Sequence, residues 1–86
     1  MKAIESIKAQ ISAIVVFKAN NLAELENEWI SIGGRLNQGY EKMENSDMFK
    51  DEEKKEVRKY ANDLRNTRYN ECRRDIITPQ RAEFVF

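Results

Sequence analysis

Histidine is missing from this chain of 86 residues, and cysteine and proline each occur once. Without histidine, the chain lacks the usual general base near neutral pH and the commonest side-chain ligand for metals. The single cysteine, Cys72, excludes an intrachain disulfide and is typical of a reducing compartment. These scarcities favour a non-enzymatic, cytoplasmic protein that uses no metal or other cofactor.

Glycine is also scarce, and the sequence has no long apolar run. Gly33, Gly34 and Gly39 follow neither the dinucleotide-binding nor the P-loop spacing, so the common phosphate-binding motifs are absent. The longest apolar run, at 13–17, is far shorter than the roughly 18 residues of a membrane span. We therefore expect a single domain over residues 1–86 with no membrane segment.

Neither sign of charge predominates, because 15 Lys and Arg residues balance 15 Asp and Glu residues. The distribution is nevertheless uneven, with net charges of +2 over residues 1–20, −6 over 21–53 and +4 over 54–86. The asymmetry predicts pairing between segments, within one chain or between copies. A simpler interpretation is that acids gather at helix starts and bases at helix ends, where the helix dipole favours them.

The sequence does contain apolar residues that recur with the spacing of a helix. Isoleucines at every third or fourth position predict an amphipathic helix over 3–18. Asn21, three residues before Glu24, resembles an N-cap with its capping box and predicts a second helix over 22–45. A cluster of acids just after position 50 suits the start of a third helix, predicted over 51–74.

The second helix carries the most informative pattern, because its apolar positions keep one phase on both sides of Gly33 and Gly34. A turn would not preserve that phase, so we predict one continuous helix with a glycine notch. Gly39 takes a position on the same stripe where a large residue is expected, which predicts the close approach of a neighbouring helix or bulky side chain. The stripe comprises Leu22, Leu25, Trp29, Ile32, Leu36 and Met43.

Together these segments predict an all-α fold, either a three-helix antiparallel bundle or a long helical hairpin. A short ordered tail over 75–86 should follow, because its apolar end is unusual for a free terminus. The predicted core comprises Ile4, Ile7, Ile11, Ile14, Leu22, Leu25, Trp29, Ile32, Leu36, Met43, Val57, Leu64, Phe84 and Phe86.

The favoured function is that of a small helical regulator, inhibitor or adaptor of bacterial or phage type. It would bind another protein or itself, and we expect self-association into a homo-oligomer, since a domain this small buries a thin core and oligomerisation is a common remedy. Tryptophan is enriched at the energetic centres of interfaces, and glycines allow close approach. The predicted partner interface comprises Trp29, Gly33, Gly34, Leu36, Gly39, Tyr40, Phe84 and Phe86.

Two alternatives involve other ligands. In the third helix Lys54, Arg58, Arg65 and Arg68 fall within a narrow arc beside Tyr69, an arrangement that can follow a phosphate backbone and predicts a nucleic-acid-binding module. The same stripe equally fits a solvated face or pairing with the acids of the second helix. A weaker alternative is a small-ligand pocket formed between subunits.

Cys72 lies close in sequence to several arginines. Neighbouring cations would lower the pKa of its thiol and raise its reactivity. The favoured interpretation is an ordinary small apolar residue at the edge of the core, because nothing else in the chain supplies a partner for nucleophilic or redox chemistry.

Overall fold

The computed structural model describes residues 3–84, with side chains described for residues 3–78. It contains three helices, α1 (Ala3–Ile14), α2 (Leu22–Glu44) and α3 (Asp51–Phe84), and no strand in the described range. α2 runs antiparallel to α3, and α1 packs mainly against α3 and only sparsely against α2. The predicted all-α three-helix bundle is confirmed. The side chain of Phe84 and all of Phe86 lie outside the described residues.

Helix α1 ends at Ile14, so the predicted end at residue 18 is wrong. The guanidinium of Arg68 lies at this end, where its Nη1 donates to the carbonyl oxygens of Ser12 and Val15, at 2.7 Å each. Its Nη2 donates to the Ser12 hydroxyl at 3.1 Å. Arg68 thus satisfies carbonyl groups that a helix end leaves unpaired, and the β-branched residues that follow have little helical preference.

Helix α2 begins as the capping pattern predicts. The Oδ1 atom of Asn21 accepts a hydrogen bond from the Glu24 amide at 2.9 Å, and the Glu24 carboxylate accepts one from the Asn20 amide at 3.0 Å. The helix passes through Gly33 and Gly34 without a break and ends at Glu44, one residue before the predicted end. The prediction of one continuous, notched helix is confirmed.

Helix α3 extends to Phe84, so the predicted end at residue 74 is wrong. Of the separate tail predicted over 75–86, residues 75–84 are helical instead, and residues 85 and 86 lie outside the described range. Pro79 lies inside this helix. A proline within a helix removes one backbone hydrogen bond, but it does not oblige the helix to end. The residues around it include Gln80, Arg81 and Ala82, which have good intrinsic helix propensity and no glycine stop signal among them.

The core lies along the line where the three helices meet. Leu22 was predicted to belong to it but is 46% exposed, because it is the first residue of α2. Val15 was not predicted and is fully buried in the cluster to which all three helices contribute. Buried hydrophobic residues comprise Ile11, Val15, Leu25, Ile32, Leu36, Met43, Val57 and Ala61. Partly buried residues packed against this cluster include Ile4, Ile7, Ile14 and Leu64.

Candidate functional site

The glycine notch holds an arginine of α3. The Arg65 guanidinium lies over the Trp29 indole, with its Cζ 3.6 Å from the ring centroid, and its Nη2 donates to the Trp29 carbonyl oxygen at 2.6 Å. A Cβ atom added at Gly33 would lie 2.6 Å from the same Nη2. Gly33 is therefore the position of close approach. Gly39 is not, because nothing lies within 4 Å of a Cβ atom built there, and the prediction for Gly39 is wrong on this point.

Trp29 belongs to an aromatic cluster inside the chain. Its ring centroid is 4.9 Å from that of Tyr69 and 6.4 Å from that of Phe17, and Phe17 and Tyr69 are 5.9 Å apart. Edge-to-face arrangements at such distances stabilise aromatic pairs beyond the area that they bury. Leu36, from the same stripe, is only 3% exposed. Much of the predicted partner face thus packs against this chain's own helices.

The basic stripe of α3 also contacts the protein itself. Arg65 and Arg68 bind carbonyl oxygens of α2 and of the end of α1, as described above. Nη2 of Arg58 lies 2.7 Å from Oε1 of Glu44, and Nζ of Lys54 lies 3.8 Å from Oε2 of the same residue. The structure therefore gives each of the four cations an intramolecular partner. Contact with nucleic acid by these residues stays a prediction, and it would compete with these bonds.

Cys72 is partly buried beside the segment that joins α1 to α2. Burial raises the pKa of its thiol, and the charges of Glu28 and Asp75 act in the same direction. The thiol also donates a weak hydrogen bond to the carbonyl oxygen of Ala19, at 3.7 Å. A raised pKa disfavours the nucleophilic thiolate. The environment of Cys72 therefore does not produce the activation of its thiol that nearby arginines could cause.

One concavity of the described surface is an apolar groove between α1 and α2. Its volume is about 330 Å³, within the range of ligand and peptide pockets. One wall is the face of α1 that carries Ile7 and Ile14, and the other is the face of α2 that carries Gly39 and Tyr40. The residues that connect α2 to α3, including Met48, close one end. Sparse packing between α1 and α2 leaves this space open.

The groove is apolar inside and basic at its edge. Arg35 and Lys42 line it, whereas no described Asp or Glu residue does. The ion pairs formed between described residues use Lys8, Lys54 and Arg58, so neither Arg35 nor Lys42 takes part in them. An apolar floor with unpaired cations at its rim suits a ligand that is itself apolar and acidic.

The groove unites only part of the predicted site. Leu36, Gly39 and Tyr40 line it, whereas Trp29, Gly33 and Gly34 do not. The wall contributed by α1, the two rim cations and the lining residues Ser46, Met48 and Phe49 were not predicted from the sequence. The signal available in the sequence was Gly39, a small residue on a stripe of large ones. Its lack of a side chain widens the groove.

Comparisons with protein-family models, with curated proteins and with solved structures find no match. No group of three or more potential metal ligands occurs among the described residues. None of the helices in the described part of the chain combines the length and the apolar character needed to cross a lipid bilayer.

Proposed function

We propose that this chain is a non-enzymatic helical protein that acts by binding another protein in the groove between α1 and α2, as a regulator, inhibitor or adaptor. The observation that carries the proposal is the groove itself, which has apolar walls on two helices and Gly39 open to the space between them. Helices commonly bind partners by placing an apolar stripe in such a groove. A thiol with a raised pKa and the lack of histidine add support for a role without catalysis.

An exposed apolar side chain at the groove supports the same role. Met48 is 71% exposed and lies at the groove's closed end. Methionine is flexible and polarisable, and it is used at binding surfaces that adapt to their partners. We place this activity in the cytoplasm, since the chain's only cysteine has no partner for a disulfide and such chains are typical of reducing compartments.

A matched pair of glycine variants tests the proposal. Gly39→Leu fills the groove, whereas Gly34→Leu adds the same side chain to an exposed position of the same helix, and neither new Cβ atom meets a neighbour within 4 Å. Tagged wild-type and variant chains would be used to isolate partners from the native host. A protein that binds the wild type and Gly34→Leu but not Gly39→Leu supports the proposal. Equal recovery of every bound protein by all three chains contradicts it.

A further inference from the structure

We propose that the occupant of the groove is an acidic amphipathic helix of a different protein, with an apolar stripe flanked by Asp or Glu residues. This inference rests on the proposed function and specifies its partner. Three observations carry it, namely the length of the groove, the sign of its rim charges and the lack of a suitable exposed helix among the described residues of this chain.

The length of the groove suits three turns of helix. Residues from Ala3 to Ile14 line one wall, and at about 1.5 Å per residue this wall extends for about 16 Å. α1 and α2 both pack on α3, so a helix lying in the groove would occupy the fourth position of a four-helix bundle. Gly39 presents bare backbone to that helix, which allows close packing, as small residues do where helices meet.

The rim charges select an acidic partner. Arg35 and Lys42 lie two helical turns apart on one edge of α2, and Ser6 and Gln10 lie on the opposite wall. None of the carboxylates in the described residues lines the space. A helix with carboxylates beside its apolar stripe would pair with both cations, while a basic helix would meet uncompensated repulsion. Such complementarity governs the specificity of association more than its raw strength.

Among the described side chains, a second copy of this chain offers no such helix. The apolar stripes of α1, α2 and the first half of α3 already form the chain's own core. Among the described residues, the large hydrophobic side chains that remain exposed are Val16, Leu22, Ile30 and Met48, which lie on separate segments except for Leu22 and Ile30. Two side chains eight residues apart cannot fill a groove of three turns. The described side chains thus leave no helix of this chain to fill the groove, which favours a different chain as its occupant.

Two hydrocarbon-stapled helical peptides of about 14 residues provide the probe. Both carry leucines at the spacing of one helix face, and they differ only in having Glu or Lys beside that stripe. Binding to the full chain would be followed by ¹H–¹⁵N chemical-shift changes and by fluorescence anisotropy at low ionic strength. We expect the Glu peptide to bind about threefold to tenfold more tightly, as two exposed ion pairs allow, and to shift the amides of Ile7, Gly39 and Met48.

Four variants sharpen the experiment. Gly39→Leu should abolish binding of the Glu peptide, and Gly34→Leu should retain it. The double variant Arg35→Glu with Lys42→Glu should reverse the preference in favour of the Lys peptide. Arg73→Glu with Arg74→Glu makes the same change of charge on exposed residues away from the groove and should leave the order of the two affinities unchanged. Circular dichroism of each variant would verify that the fold persists.

Other outcomes overturn the inference in distinguishable ways. Equal binding of both peptides, lost in Gly39→Leu, would leave the proposed function standing and remove only the acidic character of the partner. A wild-type dimer in light scattering that Gly39→Leu dissociates would identify a second copy as the occupant. Binding of dodecanoate in the groove, with neither peptide bound at about 1 mM, would indicate a small amphiphile and would also overturn the proposed function. Absence of all binding overturns both.

Discussion

At the scale of single residues, the two adjacent glycines of α2 have different roles. Gly33 faces α3 and makes room for the guanidinium of Arg65, which stacks on Trp29 and binds its carbonyl oxygen. Gly34 is exposed, and nothing lies within 4 Å of a Cβ atom built on it. A charge-assisted hydrogen bond together with a cation–π contact stabilises a fold by more than the helix propensity that one glycine gives up. The missing side chain at Gly33 thus leaves space for the guanidinium of one arginine, Arg65.

Alanine at these two positions should therefore have opposite effects. Gly34→Ala should raise the free energy of unfolding by up to about 1 kcal/mol, because alanine is the better helix former. Gly33→Ala gains the same propensity but displaces the Arg65 guanidinium, and we expect a net loss of about 1 kcal/mol. Urea denaturation followed by circular dichroism measures both.

The Arg65→Ala background provides the control. Once the guanidinium is removed, Gly33→Ala should become stabilising and should match Gly34→Ala. If Gly33→Ala is stabilising in the wild-type background as well, the glycine is not required for the packing of Arg65.

At the scale of whole elements, the end of α1 is determined by a residue distant in sequence. Arg68 binds the carbonyl oxygens of Ser12 and Val15 and the Ser12 hydroxyl. Such bonds to a charged donor replace the intrahelical bonds that the last turn lacks. Arg68 thereby joins α1 and the segment that follows it to α3.

Removing this connection should destabilise the bundle. Arg68→Ala should lower the free energy of unfolding by about 2 kcal/mol, since partly buried carbonyls would lose a charged donor. Arg68→Lys should recover only part of the loss, because a single ammonium cannot reproduce the fork of the guanidinium. Arg73→Ala, an exposed arginine one turn further along α3, serves as the matched control, and denaturant unfolding is the measurement. An equal loss in Arg68→Ala and Arg73→Ala would contradict this role.

Local rules explain why some elements were predictable and others were not. The start of α2 follows from Asn21 and Glu24, which lie next to the helix that they cap, and its continuity follows from the phase of its own apolar residues. The end of α1 depends on Arg68, which is 56 residues away from Ser12, so no window of sequence contains the signal. The width of the groove depends on the separation between α1 and α2. That separation follows from how both helices pack on α3, so the sequence of either helix alone does not reveal it.

At the scale of the whole molecule, the long third helix makes the protein elongated. The Cα radius of gyration is 15.9 Å, and the extents along the principal axes are 58 × 20 × 18 Å. A compact domain of this chain length would have a radius of gyration of about 12 Å. The acidic α2 meets the basic α3 at one end through Glu44, which contacts both Lys54 and Arg58. Part of the uneven charge is therefore paired within the molecule.

Small-angle X-ray scattering provides a check on this shape. We expect a monomer with a radius of gyration well above the compact value of about 12 Å and a maximum dimension near the 58 Å of the longest axis. A compact particle would show that the far part of α3 folds back onto the bundle. A forward scattering intensity corresponding to twice the mass of 10.1 kDa would reveal association instead.

The separation in sequence between Arg68 and its acceptors, 53 and 56 residues, also bears on the order in which the chain folds. A short connection joins α2 to α3, so these two helices can pair early, whereas α1 gains its bonds only after a long loop has closed. The helix that docks last is also expected to detach first in native-state fluctuations. Because α1 is one wall of the groove, a bound partner would hold it in place, and occupancy would be coupled to the local stability of the amino-terminal helix.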